Sequence, residues 1–493
     1  MSTPSNSPAG PWYAELNRYQ WWVLLVATLG WLFDSMDQRL FVLARTPALR
    51  DLIPGATDSQ IANYAGLATS IFILGWATGG LVFGLFGDRW GRTRTMTLTI
   101  VTYSLFTGLS ACATSWYDFA AYRFFCGMGI GGEYAAGVAL VAETMPARAR
   151  PYCLGLLQGL SALGHVVGSI ISYFIGPQTD FYDIAGWRWL FAVGVVPALL
   201  AIIIRMRLRE PEQWLQAREQ SAEAADSSAK PDELQKQLGD WREIFRNRQL
   251  LYHVVIGMSL GVCGQIGLWG IGYWTPELIR GSQMELRRDA IVERGESAVD
   301  HDAIASGSLT ELAKIESTDS VDADQLAAQW HRADDQLVAR GTILQDTAGM
   351  FGIYAFTLLT TRTGRRPAFA VAYLLAFVVT VFVFSSMRTA DDVYWMAPLL
   401  GFSISSVYGG FAIYFPELFP TRLRSTGTGL CYNVARYVTA FGPLLLGRLT
   451  AMFAAEGASL PLREAAATLA VVYLLGIVAT WFAPETHGKP LPE

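Results

Sequence analysis

Two carboxylates and a guanidinium, Asp34, Asp37 and Arg39, lie in the stretch 30-GWLFDSMDQRLF-41, which continues the apolar run 20-QWWVLLVATLG-30. Ionisable side chains are costly in such surroundings, and where they occur they mark ion or substrate pathways. Asp34 and Asp37 are spaced i, i+3 and share one helix face, whereas Arg39 is rotated well away from Asp34. In a helix entered near Trp21, Asp34 lies about 20 Å along the axis at 1.5 Å per residue, slightly past the middle of a bilayer. Taking a carboxyl out of water disfavours its charged form, the property that would let Asp34 or Asp37 load and release a proton.

Further ionisable and polar groups fall at the same depth in other apolar runs. Arg123 and Glu133 stand ten residues apart in 123-RFFCGMGIGGEYAAG-137, roughly 15 Å along a helix. Arg123 then falls in the outer third and Glu133 nearer the midplane, as proton-coupling groups or as a buried brace. The glycines of that run, at 127, 129, 131 and 132, make a flat face for close helix packing. Gln265 heads a polar and aromatic set with Trp269, Tyr273 and Trp274, and Arg436 sits beside Tyr432 and Asn433. A cation near the midplane needs an anionic partner, from the protein or from a substrate. The substrate-binding candidates are therefore Gln158, Gln265, Tyr273, Asn433 and Arg436. Aromatic residues in such helices more often pack or form interface belts. His165 and Asp346 are the remaining polar groups, the latter expected near a surface.

The elements that position these groups are read from composition. Of 493 residues 52% are hydrophobic and 16% charged, against about 25% charged in soluble domains. Apolar runs of about 20 residues separated by short polar breaks describe a polytopic, all-α membrane protein. The net charge of −5 gives no basic surface for nucleic acid, and the five cysteines lack disulfide or zinc spacing. No phosphate loop of the GxxxxGK[ST] type, HExxH or paired-cysteine motif is present, so neither ATP-driven transport nor a metal enzyme is supported. No catalytic constellation, cofactor or metal is expected. The N-terminus lacks the positively charged region and cleavage site of a removable signal peptide.

Twelve helices are expected near 21–44, 62–86, 95–113, 118–142, 152–176, 187–207, 249–276, 341–361, 367–386, 393–415, 426–451 and 464–483. They group as a first bundle over 1–207, a charged and partly helical linker over 208–248, and a second bundle over 249–493. The second bundle is interrupted at about 281–338 by a segment with thirteen acidic and five basic residues, read as a small helical cap built from LTELAKIE and ADQLAAQWHRADDQLVAR. With a cytoplasmic N-terminus, the short inside loops carry ten arginines and the short outside loops four, as the positive-inside rule requires. Both termini are then cytoplasmic, and the acidic segment faces outward from a cell (inner/plasma) membrane.

The chain also repeats itself. 143-ETMPARARPYCLG-155 matches 417-ELFPTRLRSTGTG-429 at an offset of 274, while 87-GDRWGRTR-94 matches 360-TTRTGRRP-367 at 273. Pro211 and Glu212 likewise match Pro484 and Glu485 at 273. Each half holds an even number of helices, so the two six-helix bundles are related by a pseudo-twofold axis along the membrane normal.

The loop 84-GLFGDRWGRTR-94, with its degenerate copy TTRTGRRP, resembles the signature of the major facilitator superfamily. Within it, RFFCGMGIGGEYAAG, WRWLF, PELFPTRLRSTGTG and PETHGKPL are similar to the metabolite–proton symporter branch, which transports aromatic acids, sialic acid, dicarboxylates and osmolytes. Sugar porters lie close by. The resemblance implies a central site between the halves, alternating access, and a coupling role for the helix-four arginine, here Arg123. It also implies that Gly84, Asp88, Arg89, Gly91 and Arg92 form a conformational latch; Thr361 replaces the aspartate in the second copy. The branch carries an acidic pair in helix one with a glycine after the first aspartate, where this chain has Ser35 and Met36. The expected function is proton-coupled symport of a small organic metabolite, a carboxylate on the strength of Arg436 and Arg123. Alternatives are a facilitator, antiporter or proton symporter of a sugar-like neutral solute, and a sensor whose acidic cap meets a partner. The expected partners are the substrate, H⁺ and the bilayer, for a monomer.

Overall fold

The computed structural model describes residues 11–55, 58–175, 180–181, 184–197, 208–226, 239–293, 309–316, 323–456 and 461–492. Among them the only strands are β1 (Asp180–Phe181) and β2 (Ile184–Ala185), a two-residue antiparallel pair. The rest is helical. The first half contains α1 (Arg18–Leu52), α2 (Asp58–Trp90), α3 (Arg92–Ala111), α4 (Trp116–Thr144), α5 (Arg150–Ile175) and α6 (Gly186–Val193). The short α7 (Glu212–Asp226) and α8 (Trp241–Arg246) lie in the linker. Then come α9 (Arg248–Gln265), α10 (Thr275–Glu293), α11 (Leu309–Glu316), α12 (Ala323–Thr363), α13 (Arg365–Ser386) and α14 (Ala390–Glu417). The series closes with α15 (Arg424–Gly429), α16 (Ala435–Thr439), α17 (Gly442–Ala455), α18 (Pro461–Leu469) and α19 (Val472–Phe482). Residues 198–207 of the sixth expected helix, and parts of the linker and cap, lie outside the described residues.

Local signals set the helix starts. Asn17 with Gln20, Ser115 with Asp118 and Thr389 with Asp392 form reciprocal capping boxes at α1, α4 and α14, each satisfying amides that a helix end leaves free. Seven described helices are long and apolar enough to cross a membrane. Helical α1, α3 and α12 are not among them, because charges interrupt α1, threonines and arginines lower the hydropathy of α3, and a polar extension begins α12. Large apolar side chains such as Leu74, Leu105, Phe351, Val378 and Trp481 face outward, a surface suited to lipid rather than water.

The acidic segment continues two of these helices past the apolar zone. Arg287 of α10 bonds both carboxylate oxygens of Asp334 on α12 at 2.8 and 2.6 Å and lies 5.0 Å from the centre of the Trp330 ring. Ile291 and Leu312 bury a small core beside them.

Glycine decides how closely α2 and α4 approach. A Cβ at Gly75 or Gly79 would strike the carbonyl oxygen of Phe124 or Met128, and one at Gly127 or Gly131 would strike that of Phe72 or Trp76. The two backbones touch along this seam, as small residues permit in membranes. Nothing lies within 4 Å of a Cβ at Gly137. Gly79→Val is therefore expected to abolish monodisperse elution on size-exclusion chromatography, while Gly137→Ala elutes as the parent does.

The internal repeat appears as repeated contacts. Gly91 (φ 111°) and Gly364 (φ 93°) precede α3 and α13 in backbone conformations that side chains resist. The arginine after each forms a two-pronged bond with a carboxylate: Arg92 with Glu143 at 3.0 and 2.9 Å, Arg365 with Glu417 at 3.0 and 2.8 Å. Glu485 accepts from the amides of Arg365 and Arg366 at 2.9 and 3.1 Å. The sequence offset pairs Glu485 with Glu212, but Glu212 is exposed and the equivalent cap is Glu210, which accepts from Thr93 and Arg94 at 3.1 Å each. The loop path into the helix, not the offset, selects which carboxylate reaches the amides.

Burial alone would push the Glu485 carboxyl up, but the amides of Arg365, His487 and Arg366, with the Arg365 charge, hold it below the usual carboxylate range. Its stabilising contribution is thus present above the ordinary glutamate value and is lost as pH falls through the lowered one. Glu485→Gln is expected to flatten the acid limb of thermal stability against pH and to lower the melting temperature at neutral pH.

Candidate functional site

The two helix-one aspartates occupy different surroundings, although both are buried. Asp37 accepts from Thr107 Oγ1 on α3 at 2.6 Å and from Cys126 Sγ on α4 at 3.2 Å, and lies 3.5 Å from Arg123. Arg123 is held by Ser110 Oγ at 3.1 and 2.8 Å and by the Phe106 carbonyl at 3.3 Å. Its guanidinium also lies 4.7 Å from the centre of the Phe191 ring. Asp37 therefore faces three donors, an arrangement suited to a carboxylate.

Asp34 faces Glu133 of α4 within hydrogen-bonding reach. No described donor bonds any of their four carboxyl oxygens. Glu133 also packs against Gly30 of α1, where a Cβ would collide with its carboxyl. Together with Ala27, Trp31, Tyr134, Gly137, Val138 and Leu157 it lines a small pocket.

Arg39 points elsewhere. It forms a 2.7 Å, part-exposed ion pair with Asp346 of α12. His165 is half-buried close to Arg39.

The polar set from the second half gathers around Arg436, which is 4% exposed. Its guanidinium carbon lies 3.6 Å from the Trp76 ring centre, 4.7 Å from that of Tyr432 and 5.7 Å from that of Trp269. No described carboxylate forms an ion pair with it. Tyr432 stacks on Tyr134 of the first half at 3.9 Å. Gln265 donates to the Tyr432 carbonyl at 2.8 Å, and its own carbonyl oxygen has no described partner. Two π-helical turns, Ile266–Ile271 after α9 and Leu430–Val434 between α15 and α16, carry or adjoin these residues; such turns concentrate at functional sites. Asn433 fills the space over Gly80 and bonds the Gly429 carbonyl at 3.1 Å, so it packs α2 against this turn. Gln158 is buried on α5 with an unpartnered Oε1. The Tyr273 side chain lies outside the described residues.

The loop motif spans the halves. Asp88 accepts from the amides of Ser425 and Thr426, at the start of α15, at 3.1 and 2.8 Å, where the helix dipole favours an anion. Gly84 lets the chain pass: its carbonyl accepts from Thr426 Oγ1 at 3.4 Å. Arg92 lies 3.1 Å from Asp88 and also donates to the Thr421 carbonyl at 2.5 Å. Glu143 receives a further donor, Arg424, at 2.9 Å. Arg89, unlike Asp88 and Arg92, is exposed and lies beside Gly239 of the linker. At the second copy, the Tyr152 hydroxyl donates to Thr361 Oγ1 at 3.2 Å, one neutral bond in place of two charged ones.

Reading residues in isolation misses Trp76, Tyr134, Thr107, Cys126, Glu143 and Arg424. The last two stand in the repeated ETMPARAR and ELFPTRLR segments, which are their signal; the others are aromatic or small polar residues with none.

Residues 21–292 match the profile of the Major Facilitator Superfamily. A Haemophilus influenzae protein named only as a metabolite transport protein is 28% identical over 97% of this chain and 99% of its own. The cis,cis-muconate transport protein of Acinetobacter baylyi is 26% identical over 86% of each chain. A proton:xylose symporter with bound 6-bromo-6-deoxy-D-glucose superposes with a TM-score of 0.67 at 17% identity, over 96% of this chain and 98% of that one.

Asp88→Asn retains one acceptor oxygen and loses the charge. In a background lacking the native cysteines, maleimide labelling of Ser425→Cys is expected to rise several-fold when Asp88→Asn is added, because the seam over Ser425 then opens more often.

Proposed function

This chain belongs to the Major Facilitator Superfamily, and on that premise we propose that it moves a small organic carboxylate across the cell membrane in symport with protons. The observation that carries this reading is Arg436: a buried cation, ringed by Trp76, Tyr432 and Trp269 and without a described carboxylate partner. Such a group at membrane depth calls for an anion, and the aromatic faces around it suit a planar, unsaturated acid. Gln265 Oε1 and Gln158 Oε1 supply acceptors for a polar substituent. The relative named for cis,cis-muconate is consistent with this class. Proton coupling rests on Asp34, Asp37, Arg123 and Glu133, buried ionisable groups of α1 and α4.

Alternating access follows from contacts between the halves. Asp88, Arg92 and Glu143 meet the segment Thr421–Thr426 on one face, and Arg39 meets Asp346 on the other. With both sets made, the centre is closed from each side; breaking either set exposes it to one side. The repeated Arg92–Glu143 and Arg365–Glu417 bonds support two bundles of six helices over 1–207 and 249–493. The arginine bias of the loops puts both termini in the cytoplasm, and the acidic cap outside.

Proteoliposome uptake tests the reading with cis,cis-muconate, benzoate and nicotinate as probes and D-xylose as the neutral control. At least one acid is expected to accumulate under an inward proton gradient and to lose accumulation with a protonophore. Arg436→Ala is expected to weaken its binding roughly 30-fold or more, the loss for one partner of a buried charge pair. Accumulation of D-xylose alone, or acid uptake indifferent to the proton gradient, overturns it.

A further inference from the structure

Asp34 and Asp37 share a helix face yet differ in what meets them. Asp37 has Thr107, Cys126 and Arg123 around its carboxylate. Asp34 has Glu133, and neither carboxyl receives a hydrogen bond from any described donor, at exposures of 0% and 2%. Two ionised carboxylates cannot sit in contact away from water, whereas one proton between them turns repulsion into a charge-assisted hydrogen bond. The other titratable groups facing the pair are Tyr103 of α3, whose hydroxyl is buried without a described partner, and Asp37 with its own donors. On α5, His165 stands by Arg39. None of these supplies a cation to the pair.

We propose that Asp34 and Glu133 form one proton-binding site, holding a single proton as O–H···O⁻, while Asp37 pairs with Arg123 as the brace that fixes helix one. This rests on the proton-coupled reading above and assigns the transported proton within it. Loading takes one proton from water and leaves the pair with a single negative charge. Release returns that proton to water and leaves two charges that force the carboxyls apart.

The geometry gives the separation somewhere to act. Glu133 borders the pocket beside Trp31, and its chain neighbour Tyr134 stacks on Tyr432, one of the rings around Arg436. Movement of Glu133 away from Asp34 therefore displaces a ring of the anion site, and binding of an anion that orders Tyr432 holds Tyr134 and Glu133 in place. Proton and substrate are linked through one aromatic stack, reciprocally.

Infrared difference spectroscopy of the full chain in lipid nanodiscs, titrated with pH, tests this without any substrate. The expected result is one protonated-carboxyl C=O stretch at neutral pH that is lost in Asp34→Asn and in Glu133→Gln and retained in Asp37→Asn. A wild type with no such band, or a band that survives both single substitutions, overturns the shared site; the wild-type spectrum decides even if a variant does not fold. In proteoliposomes, Asp34→Asn and Glu133→Gln are each expected to lose proton-driven accumulation of cis,cis-muconate or benzoate. Wild-type uptake that ignores the proton gradient overturns the coupled reading, with the infrared band then standing by itself. Coupled uptake retained in both variants overturns the dyad and leaves that reading intact.

Discussion

Glu143 is one carboxylate serving two arginines from different halves of the chain. Arg92 reaches it from the start of α3 and Arg424 from the start of α15, both fully buried. Removing one partner of a buried ion pair typically costs about 3–5 kcal/mol because the remaining charge is left uncompensated. Separation of the halves on this face withdraws Arg424 from Glu143 and the α15 amides from Asp88 together. The matching carboxylate of the second half behaves differently: Glu417 bonds Arg365 and Thr486, both in its own half. The repeat is thus symmetric in how each half is braced and asymmetric in what joins them. Neutral Thr361–Tyr152 contact across the second seam fits the same asymmetry.

The chemistry is divided along the same line. The buried carboxyl groups Asp34, Asp37 and Glu133 lie on α1 and α4, while Arg436, without a described carboxylate partner, lies beyond the π turn after α15. They meet through side chains that cross the seam, among them Trp76 against Arg436 and Tyr134 against Tyr432. Aromatic rings suit that junction because they transmit displacement through rigid faces and carry no charge of their own into a low-dielectric interior.

Periodicity made the common face of Asp34 and Asp37 readable, because i, i+3 spacing on a helix is local geometry. Their divergent surroundings were not readable, since Thr107, Cys126 and Glu133 come from two other helices and only packing decides which aspartate each one meets. Arg436 announced itself as a cation at membrane depth, but its cage draws Trp76 from α2, an aromatic indistinguishable in sequence from lipid-facing ones. The arginine loops and their glycines were legible because positive φ and tight packing leave a residue-type signature. Glu210, rather than Glu212, caps α3 because backbone path overrides alignment by two residues. Arg39 and Asp346 lie 307 positions apart, so their pairing exists only in the folded chain. Charges in α1 and threonines in α3 lower their mean hydropathy, yet the length of their apolar runs still marked both as helices.

The two π turns lie beside Gln265 and Arg436 and are absent from α1 and α4, which form regular helices throughout. A π turn holds one residue more than an α turn over the same rise, and that surplus can migrate along the helix without breaking it at either end. Shifting it rotates the side chains between its old and new positions by about 100°, the angle per residue of an α-helix. The second half therefore contains two places where a small change of register re-aims Gln265, Trp269, Tyr432 or Arg436 as a set. Substrate preference is free to drift during evolution by moving these surpluses, while the carboxyl pair on its unbroken helices keeps the same phase.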